Sequence, residues 1–317
     1  MQRAVRWLSC AATAGMFLVL LMGAAVTNTG SAEGCGRSWP LCHGQFIPEF
    51  ALQTAIEFSH RAVTGIVGLL IFALAVGAWM GWRERTEIRV LVPLMLGSLL
   101  VQSGLGAWAV LAPQSPAVLA LHFGISLVAF ASVFLTAVVL REPAGEAPRD
   151  RPAPPAFRRA AWASLAYVYL VVYLGAYVRH TGASLACLDW PLCGGALIPA
   201  LSAPVAAVFA HRLAALGSLL LLAGLALWGQ RLRLARPDLA RGSAVALLLV
   251  TLQALGGGLV VLTRMSLFST LAHAGVMTLL FGSLSYLCLQ VLSRPATARL
   301  ASARPPATSR RASVSSA

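Results

Sequence analysis

A chain of 317 residues that is 58% hydrophobic and only 11% charged, with a mean hydropathy of +0.79, cannot be an ordinary soluble domain and fits a polytopic helical membrane protein. The net charge of +14 is carried entirely by arginine, since the chain has no lysine. These arginines punctuate the ends of apolar runs instead of clustering on one polar face, so nucleic acid is not an expected partner and the lipid bilayer is.

Eight apolar runs long enough to cross a bilayer follow in order, at about 7–26, 56–82, 90–111, 117–140, 160–178, 205–228, 243–262 and 267–292. The first has the look of a cleaved signal peptide, with Arg3 and Arg6 before it and small residues near Ala25. Its end, Gly23-Ala24-Ala25-Val26, returns as Gly175-Ala176-Tyr177-Val178 at the end of the fifth run, where no signal peptide can lie, so it is read as a retained helix. The outer loop after it holds Cys35 and Cys42. The second run carries Glu57, His60 and Arg61, the third Gln102 and the fourth His122. A polar, Pro-rich stretch at 141–157 reads as a cytoplasmic linker between an N-terminal half (1–140) and a C-terminal half (158–292). The second half repeats the inventory with Cys187, Cys193, His211, Arg212, Gln253 and His273. Residues 293–317, rich in Ser, Arg, Ala and Pro, read as a disordered cytoplasmic tail.

The repeat is regular. Cys42, His60, Gln102 and His122 each recur 151 residues later, as Cys193, His211, Gln253 and His273. Thr29-Gly30 and Cys35 recur at 152, as Thr181-Gly182 and Cys187, so one residue is missing before the second Trp-Pro-Leu-Cys. Four spans per half bring both copies in from the same side. The expected fold is therefore all-α, eight transmembrane helices forming two tandem four-helix bundles related by a pseudo-two-fold axis along the membrane normal. Arginines concentrate on the amino-terminal side, whereas the loops of the other side carry only Arg37, Arg179 and Arg264. The positive-inside rule then places both termini in the cytoplasm of a bacterial cell.

Ionisable residues within spans mark function by default. His60 and His122 fall about four and five residues into parallel spans, roughly 6–8 Å below the outer end at 1.5 Å per residue, and His211 and His273 fall at matching depth. Imidazoles facing each other across a four-helix bundle suit the axial ligation of a haem in each half. The blander reading is four buried polar residues bonding between helices. A bare zinc or copper ion is disfavoured, because no third ligand recurs in both copies. The asymmetry is equally informative: Glu57 shares a helical face with His60, and its counterpart is Val208. The first half reads as the reactive site and the second as a permanent cofactor site, unless Glu57 simply faces water or pairs with Arg61. Arg61 and Arg212 fit either haem propionates or lipid headgroups. Gln102 and Gln253 fit interhelical bonding, or contact with a ligand histidine. On an oxidising outer face the default for Cys35–Cys42 and Cys187–Cys193 is two disulfides, either staples or redox-active pairs. Cys10 and Cys288 are expected to pack as small hydrophobes. His43 and His180 are expected to be surface loop residues.

The Glu57-Phe58-Ser59-His60-Arg61 stretch, the Thr-Gly-Ser…Cys…Trp-Pro-Leu-Cys loop, the single histidines of spans four, six and eight and the tandem halves together resemble the haem A synthase family, over roughly residues 5–292. Cysteines in the first outer loop resemble the form found in Gram-positive and related bacteria. The resemblance implies that a ring methyl of haem O becomes a formyl group by two successive hydroxylations through a geminal diol, giving haem A for cytochrome c oxidase. It implies that His60 and His122 hold the substrate haem O with Glu57 beside the reacting ring, and that His211 and His273 ligate a haem b cofactor. It also implies a partnership with haem O synthase. The rivals are a quinol-linked dihaem cytochrome of the b type and a haem carrier or exporter. Oligomeric state is left open, a homo-oligomer included.

Overall fold

The computed structural model describes residues 2–49, 51–112, 115–142 and 151–292. The expected tail at 293–317 and the middle of the expected linker, 143–150, lie outside the described residues. Among the described residues, eight helices are long and apolar enough to span a membrane: α1 (Gln2–Asn28), α2 (Leu52–Trp82), α3 (Thr86–Leu111), α4 (Pro116–Arg141), α5 (Pro155–His180), α6 (Ala203–Arg231), α7 (Pro237–Leu262) and α8 (Leu267–Gln290). At 24–31 residues each they reach about 36–46 Å, more than the ~30 Å of hydrocarbon they must cross. Large aliphatic side chains stand exposed around the outside, among them Leu69, Leu100, Leu220 and Leu227, as lipid solvent permits and water does not.

Several helices begin earlier than hydropathy suggests. α5 starts at Pro155, within the expected linker, and α7 starts at Pro237 instead of near 243. Proline is preorganised for the first helical position, and the polar first turns that follow (Arg158 and Arg159; Asp238 and Arg241) are helical without being apolar.

In the first half each helix packs on its neighbour around a ring, α1 on α2, α2 on α3, α3 on α4 and α4 on α1. The second half repeats this with α5–α8, and α1, α4, α5 and α8 form the seam, through α1–α8, α4–α5 and α4–α8. This pattern maps onto itself when the halves are exchanged. It recurs at the level of side chains. Phe17 and Phe130 pack with centroids 6.3 Å apart in one half, and their counterparts Tyr169 and Phe281 at 5.3 Å in the other. The same is true at the arginine-rich end. Arg85, just before α3, donates to the Val139 carbonyl at 2.7 Å, and Arg236, just before α7, donates to the Gln290 carbonyl at 2.7 Å. Both residues of the second pair lie 151 positions after those of the first. Each arginine thus bonds a carbonyl in the last turn of α4 or α8, where backbone partners run short. Arg85 also pairs with Glu142, and Arg236 with Asp238 at 2.7 Å.

The seam is close-packed. A Cβ on Gly124 of α4 would overlap the Tyr173 hydroxyl of α5, whereas one on its counterpart Gly275 of α8 would meet Leu21 of α1 at 3.4 Å, an ordinary contact. Gly124→Val is therefore expected to cost about 1–3 kcal/mol through overpacking, while Gly275→Ala is tolerated. Thermal unfolding of the detergent-solubilised variants checks this, and equal midpoints would contradict it.

Candidate functional site

The four span histidines occupy matched places. His60 and His211 each lie eight residues after the first residue of α2 and α6, and His122 and His273 each lie six after the first residue of α4 and α8. His60 and His211 thus sit about 12 Å along their helices and His122 and His273 about 9 Å, against the roughly 6–8 Å expected for His60 and His122, because α2 and α4 start before their apolar runs do. Helices α2 and α4 stand on one diagonal of the first ring, and α6 and α8 on one diagonal of the second. Within each half the two imidazoles lie within electrostatic reach of each other, His60 with His122 and His211 with His273.

One observation singles these residues out. Among the described residues, the buried side-chain polar atoms with no hydrogen-bond partner are Nδ1 of His60, His122, His211 and His273 and Oε1 of Gln102 and Gln253. All six belong to the three repeated pairs. A buried polar atom left unpaired costs about 1–3 kcal/mol, so a set of six in two copies is not packing accident. Small residues lie beside every ring, with Gly23 against His60, Gly106 against His122, Gly175 against His211 and Gly256 and Gly257 against His273. Imidazole nitrogens without proton partners, flanked by helix surfaces that lack side chains, fit a flat metallo-ligand held by one histidine from each side. No group of three or more His, Cys, Asp or Glu side chains gathers among the described residues, and two imidazoles are the donor set of a haem. Gln253 makes the sharper of its two expected contacts, with Nε2 at 3.0 Å from Nε2 of His273.

Glu57 is 4% exposed and doubly engaged. Its Oε2 accepts from the Cys35 N–H at 2.7 Å and its Oε1 from Arg61 Nη2 at 2.5 Å. The pairing with Arg61, one of the expectations for Glu57, is thus present, in a buried setting. The other guanidinium nitrogen of Arg61 donates to the carbonyls of Ser38 (2.7 Å) and Leu41 (3.0 Å) in the cysteine loop. Arg212 does the equivalent in the second half, donating to Leu192 and, at 3.2 and 2.9 Å, to Cys187 and Asp189. Val208, in the place of Glu57, packs against the Cys187–Cys193 pair.

Both disulfides form, Cys35–Cys42 and Cys187–Cys193, and all four cysteines are buried. Each closes a small hairpin, through the bridges Cys42–Gln45 and Cys193–Ala196. In the second hairpin the backbone N–H groups of Gly195 and Gly194 donate to Asp189, holding its carboxyl below the ordinary carboxylate range. Carbonyl contacts from Arg61 and Arg212 therefore fix each cysteine loop over the amino-terminal end of the helix that bears His60 or His211.

Residues 6–285 match the family described as Cytochrome oxidase assembly protein. The chain belongs to that family. Members similar to it over nearly their whole length carry the name Heme A synthase. The one from Symbiobacterium thermophilum is 46% identical over 299 residues, 92% of this chain and 96% of the relative. The one from Geobacillus thermodenitrificans is 41% identical over 303 residues, 94% and 96% of the two chains. The one from Halalkalibacterium halodurans is 40% identical over 301 residues, 93% and 99%.

Three expectations need correction for this family member. Cys10 is exposed and accepts from Arg141, so it is not a core hydrophobe, whereas Cys288 is buried as expected. His180 is not a surface loop residue: it is the last residue of α5, half-buried and within electrostatic reach of His122 across the seam. Arg179 lies in the last turn of α5 and donates to the Thr27 carbonyl at 3.0 Å, tying the carboxy-terminal ends of α5 and α1 together. His43 is exposed, with Nε2 at 2.9 Å from the Gly34 carbonyl. Sequence reasoning missed the glycines beside the histidines, although Gly23 and Gly175 were visible as a repeated pair.

Proposed function

We propose that this chain is a haem A synthase, an oxidoreductase of the bacterial cell membrane that converts a ring methyl of haem O to a formyl group. Full-length likeness to proteins named Heme A synthase carries the reaction. The repeated, partnerless histidines support where it takes place.

In this reading the chain is two four-helix bundles about a pseudo-two-fold axis along the membrane normal, with both termini in the cytoplasm. Its first half is the substrate site. His60 and His122 hold haem O by its iron and orient one ring edge toward Glu57. His211 and His273 hold haem b, which when bound supplies a one-electron relay to an external acceptor. Each of the two hydroxylations removes two electrons from the methyl carbon, and the resulting geminal diol loses water to the aldehyde. If both histidines stay on the substrate iron, the added oxygen comes from water, and every hydroxylation releases protons that need an acceptor near the ring. Glu57 is the carboxylate on that face of α2, and its exchange for Val208 leaves the second half without one. The two cysteine loops exclude water from above.

The test is haem extraction from cells that express the chain together with a supply of haem O, resolved by mass. Haem A is the expected new product. A quinol-linked cytochrome would yield b-type haems alone, and a carrier or exporter would yield no new haem. Either result overturns the proposal.

A further inference from the structure

The halves carry the same histidines and glutamines but do not grip them equally. In the first half, a Cβ built on Gly23 of α1 would lie 3.5 Å from Cε1 of His60, an ordinary contact. In the second, a Cβ on the equivalent Gly175 of α5 would lie 2.7 Å from Cε1 of His211 and 3.2 Å from Nε2, closer than such atoms pack. The backbone of α5 therefore presses directly on the ring. At the other ligand the rings are approached equally closely, a Cβ on Gly106 of α3 falling 3.3 Å from Cε1 of His122, and the halves differ instead in the glycine content of the helix and in the seating of the loop. Helix α3 gives His122 one glycine, Gly106, between Leu105 and Ala107. Helix α7 has an unbroken run at the matching positions, Gly256-Gly257-Gly258. Gly256 and Gly257 both face His273, each with its built Cβ at 3.4 Å from the ring. Gly258 lies under the indole of Trp190, where a Cβ would fall 2.7 Å from the ring system. Trp190 belongs to the second cysteine loop, so that loop is seated on α7 at a point where the first half carries Ala107. Three consecutive glycines weaken a helix, and what they give in return is close approach.

We infer that Gly175 and Gly258, the latter within the glycine run of α7, set the residence time of the haem in the second half, clamping His211 and the overlying loop so that this haem is retained while the one in the first half exchanges. The inference rests on the haem reading above. A ring pressed by backbone on one side cannot swing off the iron without moving a helix, and a ligand already held in place loses little freedom on binding. A ring with van der Waals clearance can swing away. Substrate must enter and product leave at every turnover, whereas a relay haem must not leave. The glycines are positioning residues and touch no reacting atom.

The experiment uses the whole purified chain in detergent, loaded at both sites with ferric haem b, which stands in for haem O in the first half. Excess apomyoglobin then captures released haem, and the absorption change is followed. Two phases are expected, separated by at least about tenfold in rate, the scale on which related complexes differ in dissociation. His60→Ala should remove the fast phase and His211→Ala the slow one. Gly175→Ala should speed the slow phase about tenfold or more, and Gly23→Ala should change the fast phase by less than about threefold. In the reciprocal direction, Leu105→Gly with Ala107→Gly should slow the fast phase, which keeps the test decisive if Gly175→Ala does not fold. A single phase from the unsubstituted chain, or Gly23→Ala acting as strongly as Gly175→Ala, overturns the inference while leaving the haem reading intact. If the unsubstituted chain shows no low-spin bis-imidazole spectrum at all, the haem reading itself fails.

Discussion

Glu57→Gln is expected to leave haem content unchanged and to cut haem A formation by about 10²–10⁴-fold, the usual worth of a positioned proton acceptor. The substitution keeps the shape of the side chain and keeps an oxygen for the Cys35 N–H, which donates to Glu57 at 2.7 Å. It removes the negative charge facing Arg61 and the ability to take a proton. The two roles the structure offers this carboxylate are thereby separated. A brace for the cysteine loop survives the change to glutamine nearly intact, and a proton acceptor does not. Absorption spectra of the purified variant report haem content, and mass analysis of extracted haems reports product. Full activity would take Glu57 out of the chemistry and leave it as the anchor of the Cys35–Cys42 loop.

Removing any one of the four histidines is expected to abolish stable haem binding in its own half only. The loss in retention should exceed about 100-fold, because changing a group one step removed from a metal already costs ~10–100-fold. The two halves should then differ in consequence. His60→Ala or His122→Ala should leave a chain that still holds haem b yet makes no haem A. His211→Ala or His273→Ala should lose the resident haem and stall turnover for want of an electron relay. Nδ1 is buried without a hydrogen-bond partner in all four rings, which is what sets these positions apart from the other described polar side chains. Spectra of each variant, taken with and without added haem O, are the check. If the four variants were interchangeable, the division of labour between halves would fall.

The architecture was legible in the sequence because lipid imposes a strong signal: eight apolar runs gave eight helices, and their arginine-rich ends gave caps as well as charge. Arg85 and Arg236 were readable as topology markers but not as partners of the Val139 and Gln290 carbonyls, which requires knowing which helix ends meet. Hydropathy misplaced the starts of α5 and α7, where the first turns after Pro155 and Pro237 are helical but polar. The start of α2 at Leu52, ahead of its apolar run, likewise puts His60 farther along its helix than hydropathy suggested. The histidine and cysteine pairs were visible because duplication wrote each of them twice at a fixed offset. Contacts present in only one copy were not. Glu57 was conspicuous for lacking a counterpart, yet its bond to a backbone N–H 22 residues away is a property of the folded loop. Gly175 and Gly256 carry no chemistry of their own, and nothing in the sequence distinguishes a glycine facing a ligand from one facing lipid.

The most direct measurement supplies isotope-labelled haem O to purified chain already carrying unlabelled haem b, with an electron acceptor present, and follows the label through extracted haems by mass. The account predicts labelled haem A, with the resident haem b still unlabelled and still bound. Label that stays in unchanged haem O, or that equilibrates between both sites, would contradict it.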